Sequence, residues 1–311
     1  MPVFLAFVAY LLGSLVLSAL LLPLLYPGIE ALLGDTAEPS SAMYRIAMLL
    51  MLLGFPWFLK RLRLLGWREI GFTLPARAAW VAVFKGLGLG TAMLAGLALV
   101  LVLVGARVYA HAGMPPAGEL LEALLGGLIG GLLVGLIEEA FFRGMMHTGM
   151  RRRLAFWPTA LLTGAFYAAV HFIRPAELPA GVELDLAASL SMLIQGLAGL
   201  FEFAAIHDSL VSLLVAGVLL AMVRERTGNI CWVIGIHAGW VLVIKVTKLL
   251  TDVDKADGLS IWLGHYDKVT GWLAAMWLAL VAAVYWRRSR PRSGRAGCRE
   301  RPATDPCRTT A

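Results

Sequence analysis

Charge is scarce in this sequence. Asp, Glu, Lys and Arg make up 15% of the 311 residues, 59% are hydrophobic, and the mean hydropathy is +0.78. A soluble domain carries about 25% charged residues, so an ordinary water-soluble fold is excluded. Cysteine is nearly absent as well: there are three, in no zinc-ribbon spacing. Cys231 opens an apolar run, and Cys298 and Cys307 lie in a basic tail, so no disulfide framework is expected. No His-Glu-x-x-His occurs anywhere in the chain. The first apolar run lacks a basic stretch ahead of it, and Leu21-Leu-Pro-Leu-Leu-Tyr-Pro27 offers no small-residue cleavage site. That argues for a retained helix rather than a signal peptide.

What the chain does have is apolar length. Runs able to span a hydrocarbon core of about 30 Å fall near residues 3–25, 44–59, 80–105, 119–146, 155–174, 209–223, 230–250 and 269–286. The expected fold is all-α, a polytopic bundle of about eight transmembrane helices. Segment 188–206 is apolar but broken by Gln195, Gly196, Gly199 and Glu202, which predicts a short re-entrant or interfacial helix. Basic residues follow every second span: Lys60 to Arg68, Arg151 to Arg153, Arg224 and Arg226, and Arg287 to Arg292. The other loops are acidic or neutral. By the positive-inside tendency both termini are cytoplasmic, in an inner or plasma membrane. The net charge of +7 is then a topology signal, and nucleic acid is not an expected partner, because these basic residues hug helix ends. The chain divides into N-terminal helices over 1–118, a core over 119–250, a last helical segment over 251–286, and a basic tail over 287–311 with a disordered composition.

Against this background two adjacent acids stand out. Glu138 and Glu139 close a long apolar run, and Arg143 follows. A carboxylate at the centre of a membrane helix costs ~2.5 to 3.5 kcal/mol on insertion scales, so a pair implies a function. Glu139 and Arg143 have the i,i+4 spacing that favours an ion pair with the acid N-terminal. Glu138 is rotated by about 100° on the helix and has no cation at i+4, which leaves it free to act as a general base. Gly126, Gly127, Gly130, Gly131 and Gly135 on the same run give small-xxx-small spacings for close helix packing. The packed helices should shield a small polar cavity open to the cytoplasmic side.

Two histidines in other spans, His171 and His237, lie at depths that can meet Glu138, judged from a rise of ~1.5 Å per residue. The remaining histidines read as solvated: His111 and His265 in external loops, His207 beside Asp208, and His147 near the cytoplasmic exit. If a metal takes part, its ligands are Glu138, His171 and His237, and Zn²⁺ is the ion such a set would take. The same residues work without one, and no cofactor is the favoured reading.

Glu-Glu-x-x-x-Arg at 138–143, aromatic-x-x-x-His at 167–171 and the later His237 resemble the CAAX prenyl protease and bacteriocin-processing family of intramembrane proteases. The type II CAAX prenyl endopeptidases are among its members. The resemblance covers about 119–250. It implies an endopeptidase that cuts a membrane-anchored peptide or protein, with the lipid bilayer as its other partner. Glu138 and His171 would activate a water, Glu139 and Arg143 would support the site, and His237 would stabilise the oxyanion. Two positions depart from the family pattern: Tyr167 replaces the usual Phe, and Val241 stands where Asn or Asp is usual four residues after the His. Loss of such a donor is worth about 2.7 to 4 kcal/mol of transition-state stabilisation. Trp240 points about 100° away from Val241 on an ideal helix, and Lys245 is expected to snorkel outward. Two other readings stay open: a proton- or cation-coupled transporter that uses the acid pair, and a catalytically silent immunity or scaffold protein, which Val241 favours.

Overall fold

A computed structural model of the protein describes residues 2–34, 38–110, 114–253 and 262–289. Helices α1 (Pro2–Leu33) and α2 (Pro39–Leu62) form a hairpin, followed by the short α3 (Trp67–Ile70) and by α4 (Ala76–Leu103). Next come α5 (Ala117–Glu139), a π-helical stretch (Ala140–Met146) and α6 (His147–Arg151), which together make one continuous rod of 35 residues. The order continues with α7 (Phe156–Val170), α8 (Leu186–Ala198), α9 (Phe203–Thr227), α10 (Cys231–Leu250) and α11 (Trp272–Arg288).

Among the described residues, six helices are long and apolar enough to cross a bilayer: α1, α2, α4, the α5–α6 rod, α9 and α10. The protein is an integral membrane protein with an all-α polytopic bundle. The sequence predicts eight spans. The two others, α7 and α11, have 15 and 17 residues, or roughly 22 and 25 Å of helix. The 188–206 segment does hold a short helix, α8, capped by Asp185 through Ala188 N (2.7 Å) and broken by a 3₁₀ turn at Gly199–Phe201. Its last residues belong instead to α9, which begins at Phe203, six residues before the expected start at 209. One small ribbon interrupts the all-helical pattern. Strand β1 (Arg107–Tyr109) pairs antiparallel with β2 (Thr251–Val253), tying the far ends of α4 and α10 together. The buried Arg107 locks it by donating to Thr251 Oγ1 (2.6 Å) and Lys268 O (2.7 Å).

Helix α10 is the centre of the bundle, gripped on one side by α4 and on the other by α5. Both contacts are backbone-close. A Cβ on Gly131 would come within 2.8 Å of Ala238 O, and one on Gly239 within 2.6 Å of Leu87 O. Gly127, Gly131 and Gly135 therefore form the predicted glycine seam, while Gly130 faces open space. A second apolar layer fills the end of the bundle that carries the basic clusters. Phe7, Phe58, Leu59, Leu64, Phe141, Phe142, Met145, Met146 and Met150 are all buried there.

Candidate active site

The π stretch starts directly after Glu139, and its wider turn adds a register step where the functional side chains leave the helix. Two groups from elsewhere hold it. Arg224 Nε donates to Arg143 O (3.2 Å) from α9. Ile70 O of α3 presses on Gly144, where a Cβ would lie 2.4 Å away, so no larger residue fits without movement.

Glu139 and Arg143 are both completely buried, and Arg143 Nη1 donates to Glu139 Oε1 at 3.0 Å. The expected clamp is present, and it is wider than expected. Arg143 Nη2 also donates to Gly217 O (3.2 Å), and the guanidinium lies 4.2 Å from the centre of the Tyr167 ring. His237 reaches the same carboxylate oxygen from α10, with Nδ1 2.8 Å from Glu139 Oε1. Glu139 thus joins α5 to α10 and fixes the imidazole, a connection that helical spacing on one element cannot reveal.

Glu138 faces the other way, into a cavity of about 640 Å³ that it lines with Tyr167, His171 and His237. His171 Nε2 is 4.0 Å from Glu138 Oε2, and His237 Nε2 is 3.9 Å from the same oxygen. That oxygen is buried and has no hydrogen-bond partner among the described residues. His171 Nδ1 lies 2.7 Å from Tyr167 O, a carbonyl that can only accept, so Nδ1 carries the proton and the Nε2 lone pair points at the acid. The five residues singled out in the sequence therefore converge on one point.

Some sequence readings need correction. His147 is not a surface residue: it is 3% exposed, with Nε2 3.1 Å from Glu225 Oε2 of α9, and Arg151 Nη2 bonds the same carboxylate at 2.8 Å. The partner lies 78 positions away, out of reach of any local pattern. His265 is solvated as expected, and it also has a buried partner. It is half exposed, but its Nδ1 bonds the buried Asp208 Oδ2 at 2.8 Å. The cavity is neither small nor mainly polar, since most of the residues lining it are apolar, and it does not run toward the helix ends that carry the basic clusters. It extends from Glu138 to Tyr44, Arg174, Lys248 and Tyr266, at the helix ends remote from the basic clusters. His207 is half-buried rather than fully solvated, with Nδ1 2.9 Å from Phe203 O, and His111 lies outside the described residues.

The departures from the family pattern also gain a setting. Tyr167 serves through its ring and its carbonyl, the first under Arg143 and the second on His171, so the hydroxyl is incidental to both contacts. Val241 and Trp240 both line the cavity despite their different helix faces, and the Trp240 Nε1–H is buried without a partner among the described residues. Lys245 is exposed as expected, with its Nζ beside Gly126 on α5.

As a metal site the cluster fits poorly. Two ligands of a tetrahedral zinc with bonds near 2.0 to 2.1 Å stand roughly 3.4 Å apart, shorter than the 3.9 and 4.0 Å seen here. Among the described residues no three His, Cys, Asp or Glu side chains are placed to hold a metal ion.

Residues 120–243 match the family model described as Rce1-like, type II CAAX prenyl endopeptidase. No curated protein and no solved structure matches the chain. The matched stretch runs from the start of the glycine seam to just beyond Val241 and contains Glu138, Glu139, Arg143, His171 and His237. That stretch, under half of the chain, is similar to the type II CAAX prenyl endopeptidase Rce1-like family.

Proposed function

We propose that the protein hydrolyses a peptide bond of a membrane-anchored substrate by a metal-free mechanism in which Glu138 is the general base. One observation carries this reading. An unpaired, buried carboxylate oxygen faces the Nε2 atoms of two histidines at 4.0 and 3.9 Å, too far for direct hydrogen bonds. Each of those separations can be bridged by a water placed about 2.8 Å from Glu138 Oε2 and from the imidazole Nε2.

From there the chemistry follows. Glu138 takes a proton as the water oxygen bonds to the scissile carbonyl carbon, and the carbonyl electrons move to its oxygen. His171, neutral and fixed by Tyr167 O, accepts a hydrogen bond from the second water hydrogen, which stays on the oxygen, and so aims a lone pair of that oxygen at the carbon. His237 faces the developing negative charge. With a proton on both its nitrogens, the buried set of Glu138, Glu139, Arg143 and His237 is electrically neutral, the cheapest state for charges away from water. Its Nε2–H is then a donor to the oxyanion. Trp240 Nε1–H supplies a second donor from the same helix, in place of the one that Val241 lacks. The C–N bond then breaks, and the proton held by Glu138 passes to the leaving nitrogen. Glu139 and Arg143 position His237 without touching substrate.

The test is comparative proteomics of membranes from a deletion strain restored with the wild type or with Glu138→Gln. Unprocessed substrates accumulate with the variant although it is expressed at the wild-type level. Normal processing by Glu138→Gln overturns the assignment. A general base is typically worth 10²- to 10⁴-fold, so the loss is expected to be near complete.

A further inference from the structure

We infer that the catalytic cavity is loaded from the leaflet opposite the basic clusters, by a peptide whose apolar anchor lies in that leaflet. The inference rests on the reading of Glu138 as the catalytic base, and it adds which side of the membrane the substrate comes from.

The first support is a blocked end. Between Glu138 and the basic clusters the bundle is filled by Phe7, Phe58, Phe141, Met145, Met146 and Met150, each less than 9% exposed. Glu138 lies 13 residues before Arg151, roughly 20 Å of helix, so this layer is several turns thick. Even its polar members are engaged, with Arg143 on Glu139 and His147 on Glu225. Neither a peptide nor a file of water passes such packing without separating the helices.

The second support is an open end. The remote limit of the cavity is formed by Tyr44 near the start of α2, Lys248 near the end of α10, Arg174 just past His171, and Tyr266 ahead of α11. On α2, α10 and α11 these positions are opposite the ends that carry Lys60, the Arg224 and Arg226 turn that leads into α10, and Arg287. Tyr44 and Tyr266 are exposed.

The third support is a gap in the wall. Helix α2 packs along α1 and makes no broad contact with α5 or α10. Met48, Leu49 and Leu52 of α2 and Val134 and Ile137 of α5 line the cavity and are themselves exposed. In a bilayer such a slot faces acyl chains, and it is continuous with the Glu138 site. An apolar anchor can slide in sideways there, whereas a water-soluble peptide gains nothing from it. Arg174 and Lys248 at the rim put positive charge where the chain would emerge into water.

Sidedness can be read without any substrate. In a background with Cys231, Cys298 and Cys307 replaced by serine, single cysteines are placed at Tyr44→Cys, Met48→Cys and Tyr266→Cys, with Arg153→Cys marking the basic face. Sealed right-side-out and inside-out vesicles are treated with a membrane-impermeant maleimide, and labelling after denaturation confirms that each thiol is present. Tyr44→Cys and Tyr266→Cys are expected to react only from the face opposite to the one that labels Arg153→Cys. Reaction from the same face as Arg153→Cys, or from neither face, overturns the inference. Met48→Cys keeps the test alive if a tyrosine variant does not accumulate. The pattern is read again with Glu138→Gln, which abolishes catalysis if that reading holds and leaves the labelling unchanged. Failure of the mechanism and failure of the access route are thereby told apart.

Discussion

At the scale of single residues, Arg143 and Glu139 are where chemistry and stability meet. Removing the guanidinium strands a fully buried carboxylate, a change that typically costs about 3 to 5 kcal/mol. Arg143→Ala should therefore melt well below the wild type in detergent, with little activity left. Arg143→Lys should recover the ion pair but not the bond to Gly217 O or the stacking on Tyr167, and so only part of the loss. An Arg143→Ala protein with unchanged melting would remove the clamp. Glu139→Gln separates positioning from stability. The amide keeps a contact to His237 but takes away the negative charge beside it, and an orienting carboxylate replaced by its amide can cost up to ~10⁴-fold in kcat. Single-turnover cleavage should fall steeply while KM barely moves, and a purely structural Glu139 would leave kcat alone. At Tyr167 the hydroxyl is dispensable, so Tyr167→Phe should retain activity, and Tyr167→Ala should not.

At the scale of elements, the glycine seams make a sharp pair of predictions. Gly131→Ala pushes a methyl group toward Ala238 O, while Gly130→Ala meets nothing. Overpacking typically costs about 1 to 3 kcal/mol, whereas Ala for Gly on an exposed helix face gains up to ~1 kcal/mol. The two variants should melt on opposite sides of the wild type, and equal melting would mean that α5 and α10 do not touch along this line. Much of this layer was legible in the sequence, because glycine spacing and apolar run length report directly on helix packing. The acid pair and both histidines were legible for a related reason, since few other polar groups lie so deep in an apolar run. What stayed hidden depends on partners from distant helices. His147 looks like an exit residue until α9 delivers Glu225, and α9 itself begins early because Glu202, His207 and Asp208 mask its first turns. The π stretch leaves no trace in hydropathy at all, and the same is true of the Glu139 to His237 bond, which joins residues 98 positions apart.

For the whole molecule, the basic clusters at alternate helix ends predict that both termini are cytoplasmic. Reporter fusions after α1 and at the C-terminus check this: an external signal is expected from the first and a cytoplasmic signal from the second. The reverse pattern would invert the molecule without altering which end of the cavity is open. The β1–β2 ribbon has its own effect at this scale. Pinned to each other at one end and meshed backbone to backbone along their length, α4 and α10 cannot slide past each other. Helix α10 has 20 residues, about 30 Å, close to one hydrocarbon thickness. A bilayer that is too thick or too thin must therefore be met by tilting α4, α5 and α10 as one plank, which shifts the glutamate and both histidines together relative to the lipid headgroups. Turnover in vesicles of graded acyl-chain length should then rise to a single optimum, with the enzyme acting as a gauge of membrane thickness.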